Sequence, residues 1–301
     1  MTMTYARWAA CGVLLCAAAF MLGACASAAR PASAERPRGD ESPRFAVLAA
    51  SDERRTAALA NWKALVGEQS AASPTPDLRP VTATLASLPA GLRDFPRLPL
   101  VVAGDAQNRT EEETRESLRR FLATAAPLLG VDLKHVSLVN VTDAEAGTRH
   151  AFYRQNPFAY PLRNGYGEVG VTFAPDLRVI ALTSTAVPDA ERLARTLAAV
   201  PKNVTAAQAV AALSNRAVTY TAGSGAQQTR TVNQLEATAA RQLVVFPLRR
   251  DPDSLELHVA WEVSIIGPEP PLVAYVDAAT GEVLDVRELK EDRGAKVTLG
   301  M

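Results

Sequence analysis

The stretch "RQNPFAYPLRNGYGEVGV", residues 154 to 171, places Gly165, Gly167 and Gly170 in the spacing GYGEVG, a literal match to the glycine fingerprint of dinucleotide-binding folds. That fingerprint works only when it opens a helix, because the helix N-terminus holds the pyrophosphate. Residues 171 to 185 instead read "VTFAPDLRVIALTST", rich in β-branched residues and interrupted by Pro175. No helix is expected there, so the glycines read as turn and strand-entry residues and no nucleotide site is expected. Pro161 fixes φ and removes a donor, and Asn164-Gly165 offers a tight turn. Gln155 to Gly165 is therefore expected to be a bend between strands, structural rather than catalytic.

On either side of the bend the pattern is antiparallel. "KHVSLVNV" and "TRHAFYRQ" flank the turn "TDAEAG", and "GEVGVTFA" and "LRVIALTST" are joined by Pro175-Asp176, suited to the centre of a type I turn. The clearest helix runs from Glu111 to Ala126: Thr110 is the N-cap, Glu113 closes a capping box, and Leu118, Phe121, Leu122 and Ala125 form one apolar face before Pro127 and Gly130 end it. A first helix is expected over Ala46 to Val66 with Ser51 as its cap, and a short strand near "VTATLASL". The rest of residues 46 to 109 gives no legible fold.

Past a short helix between Pro188 and Pro201, a second run of helix then strands begins at Thr205, which forms a capping box with Gln208. Strands are expected at "AVTYTA", "RQLVVFPLR", "ELHVAWEVSII" and "LVAYVDAATGEVLDVREL", the last turning at "DAATG". The expected fold class is α+β, two small units each with a helix packed on an antiparallel sheet, over 110 to 200 and 201 to 289.

Lys plus Arg and Asp plus Glu both number 32, so no chain-wide field favours nucleic acid. The N-terminus has Arg7, an uncharged apolar run, and then Leu22-Gly23-Ala24-Cys25. This is expected to be a signal peptide over 1 to 24, ending in a sequence that resembles the lipobox of bacterial lipoproteins, with Cys25 as the lipidated residue. An ordinary cleavable signal and an uncleaved anchor are the alternatives. Residues 25 to 45, rich in Ala, Pro, Ser and Arg, read as a disordered tether. Cys11 and Cys16 lie within the signal, so Cys25 would be the sole cysteine of the mature chain and no disulfide could form within it.

No catalytic, metal or cofactor site is expected. The chain has three histidines, His135, His150 and His258, all read as ordinary strand residues. His258 and Glu262 are four apart, but in a strand they would lie about 13 Å from each other, too far to share a zinc. Ser224, in "AGSGA", lacks the spacing of a nucleophile elbow.

The residues around Gln155 resemble the propeptide of thermolysin-like and fungalysin-like zinc metallopeptidases. In that pattern a glutamine is followed by a glycine, an apolar residue and a proline. Here Gln155 is followed by Ala159 in place of the glycine, then Tyr160-Pro161-Leu162 and Gly165, with "HAFYR" ending in Arg154 before it. "FLATAAPLLGVDL" fits the preceding helix. "VTAAQAVAAL", "LHVAWEV" and "YVDAATGEVLDVRE" resemble the PepSY domain that comes next in the same propeptides. After Arg287 come only the residues "ELKEDRGAKVTLGM", so the peptidase domain itself is expected to be absent.

The resemblance implies a non-catalytic module that inhibits a thermolysin-like metallopeptidase or assists its folding, anchored to the cell envelope, with Arg154, Gln155, Tyr160, Pro161 and Gly165 as structural or partner-facing residues. A truncated peptidase precursor and a surface binding module without a peptidase partner are the alternatives. Residues 290 to 301 are read as a tail.

Overall fold

A computed structural model describes residues 43–67, 74–101, 110–222, 224–233, 237–267 and 270–289. The signal peptide, Cys25, nearly all of the tether, and the tail lie outside the described residues. Ser42–Met301 forms one compact unit.

β1 (Ala46–Ala49) precedes α1 (Asp52–Val66). Ser51 caps α1 as expected, accepting the N–H of Arg54 at 3.3 Å. The residues just before it were expected to be helical and are a strand instead. Ala46 and Leu48 alternate inward against a neighbouring strand, and that burial outweighs the helical reading. β2 (Asp77–Leu78) and β3 (Leu85–Ser87) form a small ladder, the latter within the expected "VTATLASL".

α2 (Glu111–Leu129) has the capping box, with both Thr110 and Glu113 side chains engaged. It runs three residues past the expected end, through Pro127. Leu128 and Leu129 are fully buried there. Burying each is worth about 1.5–3 kcal/mol, against about 0.5–1.5 kcal/mol for the one backbone bond that proline removes. Gly130 stops the helix at φ 66, where an added Cβ would meet Thr84 Cγ2 at 2.5 Å, so conformation and space both require glycine.

β4 (Val136–Asp143), β5 (Arg149–Gln155), β6 (Glu168–Phe173) and β7 (Val179–Ser184) make an antiparallel meander in that order. Ala151, Tyr153, Val169, Val171, Val179 and Leu182 share a core with Phe121, Leu122 and Ala125 of α2 and with Trp62 of α1. The turn at Pro175-Asp176 closes through Leu177 N–H to Ala174 O at 2.8 Å.

The second part comprises α3 (Ala190–Ala198), α4 (Ala206–Ala211), β8 (Ala217–Thr221), β9 (Gln227–Thr231), β10 (Ala237–Asp251), β11 (Ser254–Ile266), β12 (Leu272–Asp277) and β13 (Val283–Glu288). α4 carries the Thr205–Gln208 capping box. The sheet order is β1-β11-β12-β13-β8-β9, with β10 along the other edge of β11. All pairings are antiparallel except β13 with β8. β1 and β12 share one edge of β11, meeting it at Leu257 and Ala260 respectively. The large sheet therefore draws a strand from the stretch expected to begin the first helix. The class is mixed α+β, with four α-helices on antiparallel sheets among the described residues.

Candidate functional site

Arg154 and Gln155 end β5. Arg154 is exposed, its guanidinium 5.7 Å from the centre of the Phe152 ring. Gln155 is only 2% exposed. Its backbone N–H donates to Gly167 O at 2.7 Å. Its side-chain Nε2 donates to Val187 O at 3.0 Å, and its Oε1 accepts from Val187 N–H at 2.9 Å. The amide thus pairs with one residue of the buried connection after β7 as a neighbouring strand would, satisfying backbone groups that lie out of reach of water.

Beyond Gln155 the chain crosses to the large sheet. Val245 N–H donates to Pro161 O at 2.9 Å and Arg163 N–H donates to Val245 O at 3.0 Å. Leu162 forms a parallel bridge with Val245, so this segment lies on the free edge of β10. Asn164 and Gly165 both take positive φ, at 63° and 70°, and Tyr166 N–H closes the turn on Arg163 O at 3.3 Å. The Asn164 amide donates to Pro247 O at 2.7 Å and accepts from Arg287. Arg163 Nε meets the buried Glu262 carboxylate at 2.6 Å, and Gln242 donates to its other oxygen at 3.3 Å. Tyr160 is half-buried on the cluster that contains Val245, with the Lys202 ammonium 5.9 Å from its ring.

Gly167 has φ 83°, and a Cβ there would lie 2.8 Å from Leu162 Cδ1. Gly170 is inside β6, and the next element is another strand. The five motif residues therefore lie along one brace between the two sheets. Gln155, Pro161 and Gly165 hold its backbone, Tyr160 packs against it, and Arg154 stands at its exposed start.

A cleft of about 700 Å³ opens beside the brace, walled by Gly130, Asp132, His135, Gln155, Asp189 and Glu191. His135 is not a strand residue, as the sequence had suggested. It ends a 3-10 turn, Leu133–His135, whose N-cap is Asp132. Glu191 lies in the first turn of α3. Asp132, His135 and Glu191 offer ligand atoms that all lie within 4.8 Å of one another. Sequence reasoning missed this group because Glu191 is far along the chain from the other two. The one local hint was the three-residue spacing of Asp132 and His135, which brings side chains together in a helical turn but not in the strand expected there.

His150 and His258 are strand residues as expected. His150 Nδ1 lies 2.9 Å from Thr172 Oγ1 across β5 and β6. His258, 3% exposed, lies between two carboxylates: Nδ1 is 2.6 Å from Asp277 Oδ2 and Nε2 is 3.1 Å from Glu256 Oε2. Burial raises the Asp277 carboxyl, while the bond to and charge of His258, with the amides of Thr280 and Ala279, bring it below the usual carboxylate range. Glu262 shares β11 with His258 but bonds to Arg163, so the two form no zinc pair. Among the described residues no serine hydroxyl is hydrogen-bonded to a histidine, and no helix is long and apolar enough to cross a membrane.

No family model matches the chain, and no curated protein matches it. Among solved structures it is similar to the Bacillus megaterium YpeB C-terminal domain, at 10% identity over 81% of this chain and 99% of that chain, with a TM-score of 0.28. A superposition at that score carries no argument about fold or activity.

Proposed function

We propose that this chain is a non-catalytic, propeptide-like module, held at an extracytoplasmic membrane surface through Cys25, that binds and restrains a thermolysin-like zinc metallopeptidase. The observation that carries the reading is the use of the motif: Gln155, Pro161 and Gly165 serve to join two sheets. This is what a binding scaffold needs of them. The resemblance to metallopeptidase propeptides supplies the partner class.

The outer edge of β4 is unpaired among the described residues. Beside it runs a groove of about 940 Å³, lined by Leu122, Leu133, Val136, Leu138 and Tyr153, with Arg115 and Lys134 at its rim. An extended segment of the peptidase would add to this edge through backbone bonds, with its side chains in the groove supplying selectivity. Such an edge is otherwise a liability that proteins blunt, and the bulge at Val139 does so only locally.

The direct assay titrates the chain against thermolysin-like peptidases encoded beside its gene. Saturable inhibition at or below micromolar concentration is expected, corresponding to about 8 kcal/mol or more of binding. Val139→Lys, on an exposed part of the β4 edge (51%), should weaken inhibition without changing the melting temperature. Absence of binding to any of these peptidases leaves the truncated precursor or an unrelated binding module. The anchor is tested separately. Cys25→Ser should move the protein from the membrane to the soluble fraction, and a mutant that still sediments with membranes rules the lipid attachment out.

A further inference from the structure

We infer that Asp132, His135 and Glu191 form a divalent-cation site that takes a borderline ion of the zinc class and fastens α3 to the turn before β4. The site is independent of the proposed peptidase partner.

The first support is projection. Asp132 caps the 3-10 turn that His135 ends, and this short turn brings carboxylate and imidazole to within 4.8 Å of each other. Asp132 Oδ1 accepts Lys134 N–H at 3.0 Å. That bond orients the carboxylate in the way that outer hydrogen bonds orient metal ligands, and leaves its second oxygen available. Glu191 reaches the same point from a different element.

The second is distance. His135 Nε2 lies 3.8 Å from Glu191 Oε1, which is too long for a hydrogen bond. Two ligands on one tetrahedral zinc, with bonds of about 2.0–2.1 Å, stand roughly 3.3–3.5 Å apart. Small side-chain rotations bring the three together on a common ion. Among the described residues neither the His135 ring nor the Glu191 carboxylate makes a hydrogen bond, although the ring is only 28% exposed.

The third is charge. Arg54, Arg192 and Arg195 line the cleft, where Arg54 is taken by Asp189 at 2.9 Å and Arg192 approaches the same carboxylate at 3.7 Å. The two carboxylates of the site supply negative charge that a divalent ion would cancel. The nitrogen ligand selects zinc, nickel or cobalt over magnesium and calcium. The cleft above gives entry and room for water to complete the coordination. The ion would tighten the junction that Gln155 already crosses through Val187.

The test uses the full chain, stripped of metal in detergent, with cobalt(II) as a spectroscopic probe and zinc followed by chelator competition. Cys11, Cys16 and Cys25 are the competing source of ligands. A thiolate site gives intense near-ultraviolet charge-transfer bands, whereas an imidazole–carboxylate site gives only weak visible bands. One equivalent of cobalt with weak bands alone is expected. His135→Ala and Glu191→Gln should each weaken zinc by at least about tenfold, the loss typical even of an outer-shell partner. Zinc should raise the melting temperature of the wild type but not of Glu191→Gln, which is isosteric and exposed and so folds in metal-free buffer. Binding that is unchanged in both variants, binding that shows thiolate bands, or no binding to the wild type would each overturn the site.

Discussion

Gln155→Ala is expected to lower stability by about 3–5 kcal/mol, because it strands both backbone groups of Val187 in a fully buried position. Each orphaned group costs about 1–3 kcal/mol, and the lost side chain adds a cavity. For a unit of this size 1 kcal/mol moves the melting temperature by about 2–4 °C, so a fall of roughly 6–20 °C should appear in a thermal scan. Gln155→Glu provides a sharper contrast. It keeps an acceptor for Val187 N–H but sets a carboxylate oxygen against Val187 O. At neutral pH that variant should be at least as damaged as the alanine one. As pH falls and the buried carboxyl takes up a proton, it can donate to Val187 O and should recover part of the loss. An unchanged melting temperature in Gln155→Ala would mean that the brace is not what holds the two sheets together.

The same residue shows where sequence reading stops. The turn at Asn164-Gly165, the two capping boxes and the asparaginyl-type turn at Asp277 are local: their partners lie within a few residues, and the chemistry of each side chain names its own bond. Gln155 reaches Val187, 32 residues away, through backbone atoms, so nothing about the side chain at 187 announces the contact. β1 is four residues long and its partner strand, β11, begins two hundred residues later. Its alternation was absorbed into the helix that comes after it. β9 reads "QQTRT", almost wholly exposed, and is a strand because β8 offers it an edge, not because it has an apolar face to bury. In the long hairpin, β10 was legible only over its centre, residues 241 to 249, whereas β11 was legible over nearly all its length. His135 and Glu191 illustrate the same limit for a site: each is unremarkable alone, and only the packing of α3 against the turn before β4 brings them within reach of one another.

Asp277→Ala should cost about 3–5 kcal/mol, because it leaves several buried polar groups without their partner and opens a cavity, whereas Asp277→Asn should cost much less. The carboxylate has two separable tasks. Its Oδ1 accepts the N–H groups of Ala279 and Thr280 at 2.7 and 2.8 Å and shapes the turn between β12 and β13. Its Oδ2 accepts from His258 at 2.6 Å, at a position 2% exposed. Asparagine keeps the first task. For the second, its amide still offers a hydrogen-bonding group to the His258 ring nitrogen that faces it. Alanine loses both tasks and leaves His258 facing an empty site beside Glu256, which Arg250 shares at 3.4 Å.

The pH dependence separates charge from turn. The Asp277 carboxyl lies below its ordinary value in the fold, against about 3.9 in an unfolded chain. Its contribution is complete above that unfolded value and is lost as pH falls through the lower, folded one. The part of the gap between wild type and Asp277→Asn that comes from the Asp277 charge should therefore be complete above about pH 4 and be lost as pH falls below it. Glu116 is held at about 2 by Arg119 and Arg120 and titrates in the same acid range, but it does so in both proteins and cancels from the difference. Urea midpoints at pH 7 and pH 3 for the wild type and both variants measure the gap. If it stays open at pH 3, or if asparagine costs as much as alanine at pH 7, then the Asp277 charge and its bond to His258 are not what makes Asp277 necessary, and the turn alone must account for it.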